Sequence, residues 1–186
     1  MRRSNRAYVQ KIALSGLLVA LMLVLGFIES LIPTGSVPGI KLGLSNGVLI
    51  FAVYMLGIPA AFVLMVLKVV LSGMMFGGVS AMMYALAGGL LSMIFMSLLS
   101  KVKGLHPITV SMVGGVMHNV GQVGLAMVML HTSQLVYYMA ILMLVGLVAG
   151  AVTGVCATSV MKHLKAMKWM QFDSAKAMAS SAPKEK

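Results

Sequence analysis

Residues 99–107 read Leu-Ser-Lys-Val-Lys-Gly-Leu-His-Pro. Two lysines and two turn-forming residues stand here between long uncharged stretches. Residues 69–100 and 104–161 contain no Asp, Glu, Lys or Arg. Basic clusters recur at only two other places. Arg2, Arg3, Arg6 and Lys11 precede the first apolar run. Lys162, Lys165 and Lys168 follow the last, with Lys176, Lys184 and Lys186 beyond. Basic residues beside membrane spans stay on the cytoplasmic side. The three clusters share that side only if an even number of spans separates each from the next. A span needs about 20 apolar residues, which leaves room for four spans before residue 101 and two after it. The predicted fold is therefore an all-α integral membrane protein, a six-transmembrane-helix bundle with both termini cytoplasmic.

Composition agrees. The chain is 60% hydrophobic and 9% charged, with a mean hydropathy of +1.03. A soluble domain cannot be covered by so little polar surface. The net charge of +11 flanks spans instead of forming a basic stripe interleaved with stacking aromatics, which excludes a nucleic-acid partner. The single cysteine, Cys156, lies inside the last apolar run and supports neither a disulfide framework nor a cysteine metal site. Met1-Arg-Arg-Ser-Asn-Arg followed by an apolar run imitates a signal peptide, but no A-x-A pattern follows. It reads as a retained first helix.

Expected spans cover 11–32, 44–56, 60–71, 80–99, 108–130 and 135–161. Prolines 33, 38, 59 and 107 and the glycines of 72–78 mark the breaks between them. The organisation is then a basic segment 1–10, a membrane domain 11–161 and a basic tail 162–186, largely disordered, in a bacterial cytoplasmic membrane. Loops 33–43, 72–79 and 131–134 face outward. Tyr137 and Tyr138 at the outer face and Trp169 at the inner face read as interfacial anchors. Lys162, Lys165, Lys168 and Trp169 are expected on a short helix lying on anionic lipid.

Small residues recur every fourth position at Gly146, Gly150, Gly154 and Thr158, and Ala13, Gly16 and Ala20 line part of the first span. Such stripes let helix backbones approach closely, either within the bundle or against a partner.

Ionisable groups at membrane depth need a partner or a use. Glu29, Lys41 and Lys68 are three of them. Glu29 pairs with one lysine, or the lysines reach outward to the interface. In either case two cations and one anion favour an anionic ligand. His118, Asn119 and Gln122 fall within five residues of one span. They form either a helix–helix hydrogen-bond cluster or the polar floor of an outward-open cavity, to which Asn46, Ser72 and Tyr84 add. A metal site is not expected, because no carboxylate or second histidine lies at ligand spacing.

Gly39-Ile-Lys-Leu-Gly-Leu-Ser-Asn46, Gly57-Ile-Pro-Ala and Leu71-Ser-Gly-Met-Met-Phe-Gly-Gly78 resemble the substrate-binding S components of energy-coupling-factor vitamin transporters. Residues 11–160 more closely resemble the membrane family called heptaprenyl diphosphate synthase component I, or Gx transporter. The carrying motifs are Lys41-Leu-Gly-Leu-Ser-Asn46, Ala87-Gly-Gly-Leu-Leu-Ser92 and His118-Asn-x-Gly-Gln122. The S-component resemblance implies six helices and an outward-facing pocket capped by the first loop. It also implies a transmembrane coupling subunit docked on Ala13, Gly16 and Ala20, with separate ATPase subunits.

The synthase label meets a chemical obstacle. Magnesium diphosphate is held by clustered carboxylates, and this chain has only Glu29, Asp173 and Glu185. It also lacks the G-x4-G-K-[ST] phosphate loop. The expectation is a non-enzymatic, cofactor-free subunit that binds a small, anionic solute for uptake. Expected ligand contacts are Lys41, Asn46, Lys68, Ser72, Tyr84, His118, Asn119 and Gln122; expected partner surfaces are Ala13, Gly16 and Ala20 with Gly146, Gly150 and Gly154. The alternatives are a noncatalytic accessory subunit of isoprenoid or quinone synthesis, and a structural membrane partner without a ligand.

Overall fold

Proline and glycine set the limits of the helices. The structure, a computed structural model, describes residues 2–31, 41 and 43–166, and the side-chain surroundings of 8–31, 41 and 43–164. Helix α1 spans Arg2–Leu31, α2 Asn46–Met55, α3 Ile58–Ser72, α4 Gly78–Leu99, α5 Pro107–Leu130 and α6 Leu135–Ala166; a π-helical turn, Gly73–Gly77, joins α3 to α4. Pro59 and Pro107 stand in the first turns of α3 and α5, where a missing N–H leaves no bond unmade. No strand occurs among the described residues. The proline-glycine segment before Lys41, Trp169 and the basic tail from residue 167 lie outside the described residues.

Among the described residues, four helical stretches are long and apolar enough to cross a membrane: Tyr8–Ser30, Ile58–Leu99, Pro107–Leu130 and Leu135–Leu164. The chain is thus a multi-pass membrane protein. The 42 residues of Ile58–Leu99 do not run straight. Gly73 packs against Met82, and Gly89 against Met65. Residues so far apart in sequence touch only if α4 folds back along α3. The reversal falls at Gly78, whose φ of +70° disfavours any residue with a Cβ. The break expected at 72–78 is therefore a correction in kind: the backbone stays helical through the π turn and reverses at one glycine. Two boundaries also move. Helix α1 begins at Arg2 and α6 runs to Ala166, beyond the expected spans.

Helix α2 is the axis of the bundle. Its ten residues reach about 15 Å at 1.5 Å each, half a bilayer core of about 30 Å. Every residue from Asn46 to Val53 is buried, and all five other helices touch it. Leu49, Ile50 and Ala52 pack with Met65 of α3, Met96 of α4 and Val110 of α5 in the main apolar cluster. The outer surface is also apolar: Leu17, Phe62, Ile94, Val128, Ile141 and Leu144, from five helices, are all exposed. This all-round apolar pattern belongs to helices surrounded by lipid.

The glycine stripe of α6 is spent inside the chain. Gly146 rests on Gly115 and Asn119, Gly150 on Ser111 and Met112, and Gly154 on Ile108 and Ser111. The reading of Gly146, Gly150 and Gly154 as a partner surface gives way to intramolecular packing against α5. Helix α1 is held differently. It buries only a narrow stripe, Leu18, Met22, Gly26 and Glu29, toward α3, α2 and the π turn. Ala13, Gly16 and Ala20 are exposed, and no atom lies within 4 Å of where a Cβ on Gly16 would stand.

Candidate functional site

The chain enters α2 through a non-helical segment whose polar groups are buried, and this segment organises the site. The side-chain amide of Gln122 on α5 takes both main-chain groups of Lys41. Lys41 N–H donates to Gln122 Oε1 at 3.2 Å, and Gln122 Nε2 donates to the Lys41 carbonyl at 2.6 Å. Gln122 Nε2 also donates to Asn119 Oδ1 at 2.7 Å, and Asn119 Nδ2 donates to the Leu142 carbonyl of α6 at 2.6 Å. One run of bonds thus joins the segment to α5 and α6. It satisfies buried backbone groups that have no helical partner.

The Lys41 side chain crosses to the other half of the bundle. Its Nζ donates to Ser72 Oγ at 3.1 Å and to the Gly26 carbonyl at 3.5 Å. It also stands 4.8 Å from the centre of the Phe76 ring, within cation–π range. Phe76 meets Phe27 of α1 edge-on, with ring centres 5.7 Å apart. The lysine therefore binds α1, α3 and the π turn together instead of reaching out to the interface.

Glu29 does not pair with a lysine at contact distance. Its Oε1 accepts from the Leu44 N–H, with the Gly43 N–H beside it. A carboxylate here faces the turn that leads into α2, at the positive end of the helix dipole, although the first N–H groups of α2 itself bond back to the carbonyls of Gly43, Leu44 and Ser45. Lys68 is 4% exposed and finds no hydrogen-bond partner among the described residues. Glu29 is the opposite charge to both lysines.

Gly43, with φ +86°, closes the other side. A Cβ there would stand 3.0 Å from Asn46 Nδ2 and 3.2 Å from His118 Cδ2. Asn46 and His118 thus converge on the same point. His118 also presses on Gly88, where a Cβ would meet its Nδ1 at 3.0 Å. Several buried polar atoms have no hydrogen-bond partner among the described residues: Glu29 Oε2, Ser45 Oγ, Asn46 Nδ2, Ser92 Oγ and His118 Nδ1. Each costs roughly 1–3 kcal/mol in a site without water or ligand. Chemically, the site offers ammonium, amide and imidazole groups and one carboxylate oxygen, with one net positive charge if the lysines and Glu29 are ionised.

Residues 18–160 match the family described as heptaprenyl diphosphate synthase component I. The chain belongs to that family. No curated protein and no solved structure matches it. Every site residue from Glu29 to Gln122 lies inside the component I match.

Among the expected contacts, Lys41, Asn46, Lys68, Ser72, His118 and Gln122 surround the entrance to α2. Asn119 is turned toward α6 and serves the α5–α6 joint. Tyr84 lies apart, in a second apolar cluster with Val123, Ala126 and Leu142. Sequence reasoning did not assign contacts to Ser45 or Phe76; Ser92 lies away from the entrance, against Gly114 of α5. Phe76 was the most findable, as an aromatic ring beside the glycine break.

Proposed function

We propose that this chain is the membrane-embedded binding subunit for a small anionic solute, built like a transporter S component. The carrying observation is a pair of buried lysines, with a single carboxylate nearby that neither of them contacts, inside an otherwise apolar bundle. Such groups at membrane depth are retained where a ligand or ion uses them. The positive surplus calls for a carboxylate or phosphate on the ligand.

In this reading the bundle makes six crossings with both termini cytoplasmic. The α3–α4 hairpin supplies two of them, and α2 with its non-helical lead supplies a shortened one. Residues 1–10 and 162–186 flank membrane domain 11–161 and meet anionic lipid. A coupling subunit docks on Ala13, Gly16 and Ala20, and ATPase subunits supply the energy.

The family description favours a second reading, a noncatalytic accessory subunit of heptaprenyl diphosphate synthesis. Its diphosphate would be the anion of the same site, and the carboxylates that hold magnesium would come from a partner.

Native purification from membranes, followed by mass spectrometry of co-purifying molecules and subunits, tests both readings. We expect a small anionic molecule with the wild type, and its loss from Lys68→Met at unchanged extraction yield. Equal retention by Lys68→Met, or no bound small molecule, counts against the binding reading. A co-purifying prenyl synthase subunit selects the second one.

Topology has its own check. In a Cys156→Ser background, membrane-impermeant thiol reagent added outside should modify Thr132→Cys but not Ser100→Cys. Outside labelling at position 100 would sink the six-crossing arrangement.

A further inference from the structure

We infer that the N-terminal end of α2 is the docking point for the ligand's anionic group, and that Glu29 occupies it in this structure as an internal stand-in. The inference rests on the binding reading above and places the anion within the site.

Three observations converge. First, α2 is a buried half-length helix whose N-terminal end lies deep in the bundle. The N–H groups of Asn46, Gly47 and Val48 already bond back to the carbonyls of Gly43, Leu44 and Ser45, so the donor this end offers an anion is the Leu44 N–H of the leading turn, with the helix dipole behind it. Second, a carboxylate is already there: Glu29 Oε1 accepts from Leu44 N–H. The end is thus shaped to receive a carboxylate oxygen. Third, the surrounding groups are not used up by Glu29. Asn46 Nδ2 is buried, has no hydrogen-bond partner among the described residues and stands at Gly43, the residue before Leu44; the Cδ2 edge of the His118 ring lies on the same glycine, while its Nδ1 is turned to Gly88. Asn46 and His118 are each 2% exposed.

Among the described residues, two groups are left unsatisfied by the present arrangement: Glu29 Oε2, which has no hydrogen-bond partner, and Lys68, the nearby opposite charge. An incoming carboxylate or phosphate at Leu44 N–H, with Asn46 and His118 beside it, displaces the Glu29 side chain. The freed Glu29 is then available to Lys68, and with a singly charged ligand the two lysines are balanced by two anionic groups. Glu29 is a positioning residue in this scheme: it holds the site in shape when no ligand is bound and competes with the ligand for it.

The test is chemical rescue of the full chain in detergent micelles. Thermal unfolding is followed for wild type, Glu29→Ala and Glu29→Gln against formate, acetate and inorganic phosphate at constant ionic strength, with formamide as the neutral control. Glu29→Ala should unfold at a lower temperature than wild type and recover saturably with formate or acetate, but not with formamide. Its acetate midpoint should lie roughly tenfold or more below that of wild type, in which the internal carboxylate competes. No saturable recovery, or equal recovery by formamide, would overturn the inference.

If Glu29→Ala is extracted folded only in formate, that dependence is itself the supporting result. If it is not recovered at all, Glu29→Gln decides. Its neutral amide is a weaker competitor, so acetate should stabilise it at lower concentration than wild type. An identical acetate response in the two proteins would refute the proposal. Loss of rescue while a co-purified anion still depends on Lys68 would remove the docking point and leave the binding reading standing.

Discussion

Gln122→Leu is expected to destabilise the protein by about 3 kcal/mol and to abolish ligand retention together. Leucine fills a similar volume, so the loss is polar. The substitution strands the Lys41 N–H and carbonyl, both bonded to the Gln122 amide, and removes a donor from Asn119 Oδ1. Hydrogen bonds between side chains in membranes are worth only about 0.6 kcal/mol on average, because the unfolded helices find other partners. The Lys41 backbone has no such recourse: it is non-helical and buried. An unsatisfied buried group costs roughly 1–3 kcal/mol, and two are created at once. The shift is read from unfolding midpoints against increasing denaturing detergent. A change no larger than that of an average side-chain bond would show that the segment re-forms its bonds elsewhere.

The second large effect belongs to the α5–α6 joint. Gly150→Ala places a Cβ 2.6 Å from the Ser111 carbonyl oxygen and 2.7 Å from Met112 Cα. Both obstacles are main chain, so no rotamer change relieves them. The helices must separate along the whole stripe, and neighbouring contacts at Gly146 and Gly154 open with them. Overpacking of this kind costs typically 1–3 kcal/mol and more when backbones must move; about 3 kcal/mol is expected here. Gly124→Ala and Gly16→Ala are the controls. Neither meets an atom within 4 Å, and a helical glycine gains up to about 1 kcal/mol on becoming alanine. The same detergent titration should separate the two classes clearly. An unperturbed Gly150→Ala would mean that α5 and α6 do not pack as closely as described.

The helix limits were legible because proline and glycine act locally. Pro59 and Pro107 mark helix starts by their own geometry, whatever surrounds them. The π turn was not legible. Ser72 to Gly78 carries loop-like composition, and nothing in it specifies which carbonyl each N–H will reach. Lys41, Lys68, Asn46 and His118 could be nominated from sequence because a polar group in an apolar run must find protein or water. Their partners could not be. Glu29 had two cations to choose from and instead met the main chain at Leu44, and Gln122 likewise bonds main-chain atoms. Backbone groups have no sequence signature, so such pairings emerge only from tertiary geometry. The glycine stripe of α6 announced a close approach but could not say to whom.

The enclosure of α2 bears on how the protein is made. One wall of the enclosure around residues 46–55 is α6, which spans Leu135–Ala166 and is synthesised well after them. A ten-residue helix is too short to partition stably into a bilayer on its own, and its lead carries Lys41. Until α5 delivers Gln122 and α6 arrives, this stretch has nowhere to rest in the hydrocarbon. Biogenesis must therefore hold the second helix in waiting, at the insertion machinery or at the membrane surface. The core closes only after α6 has been released, as one late step instead of helix by helix.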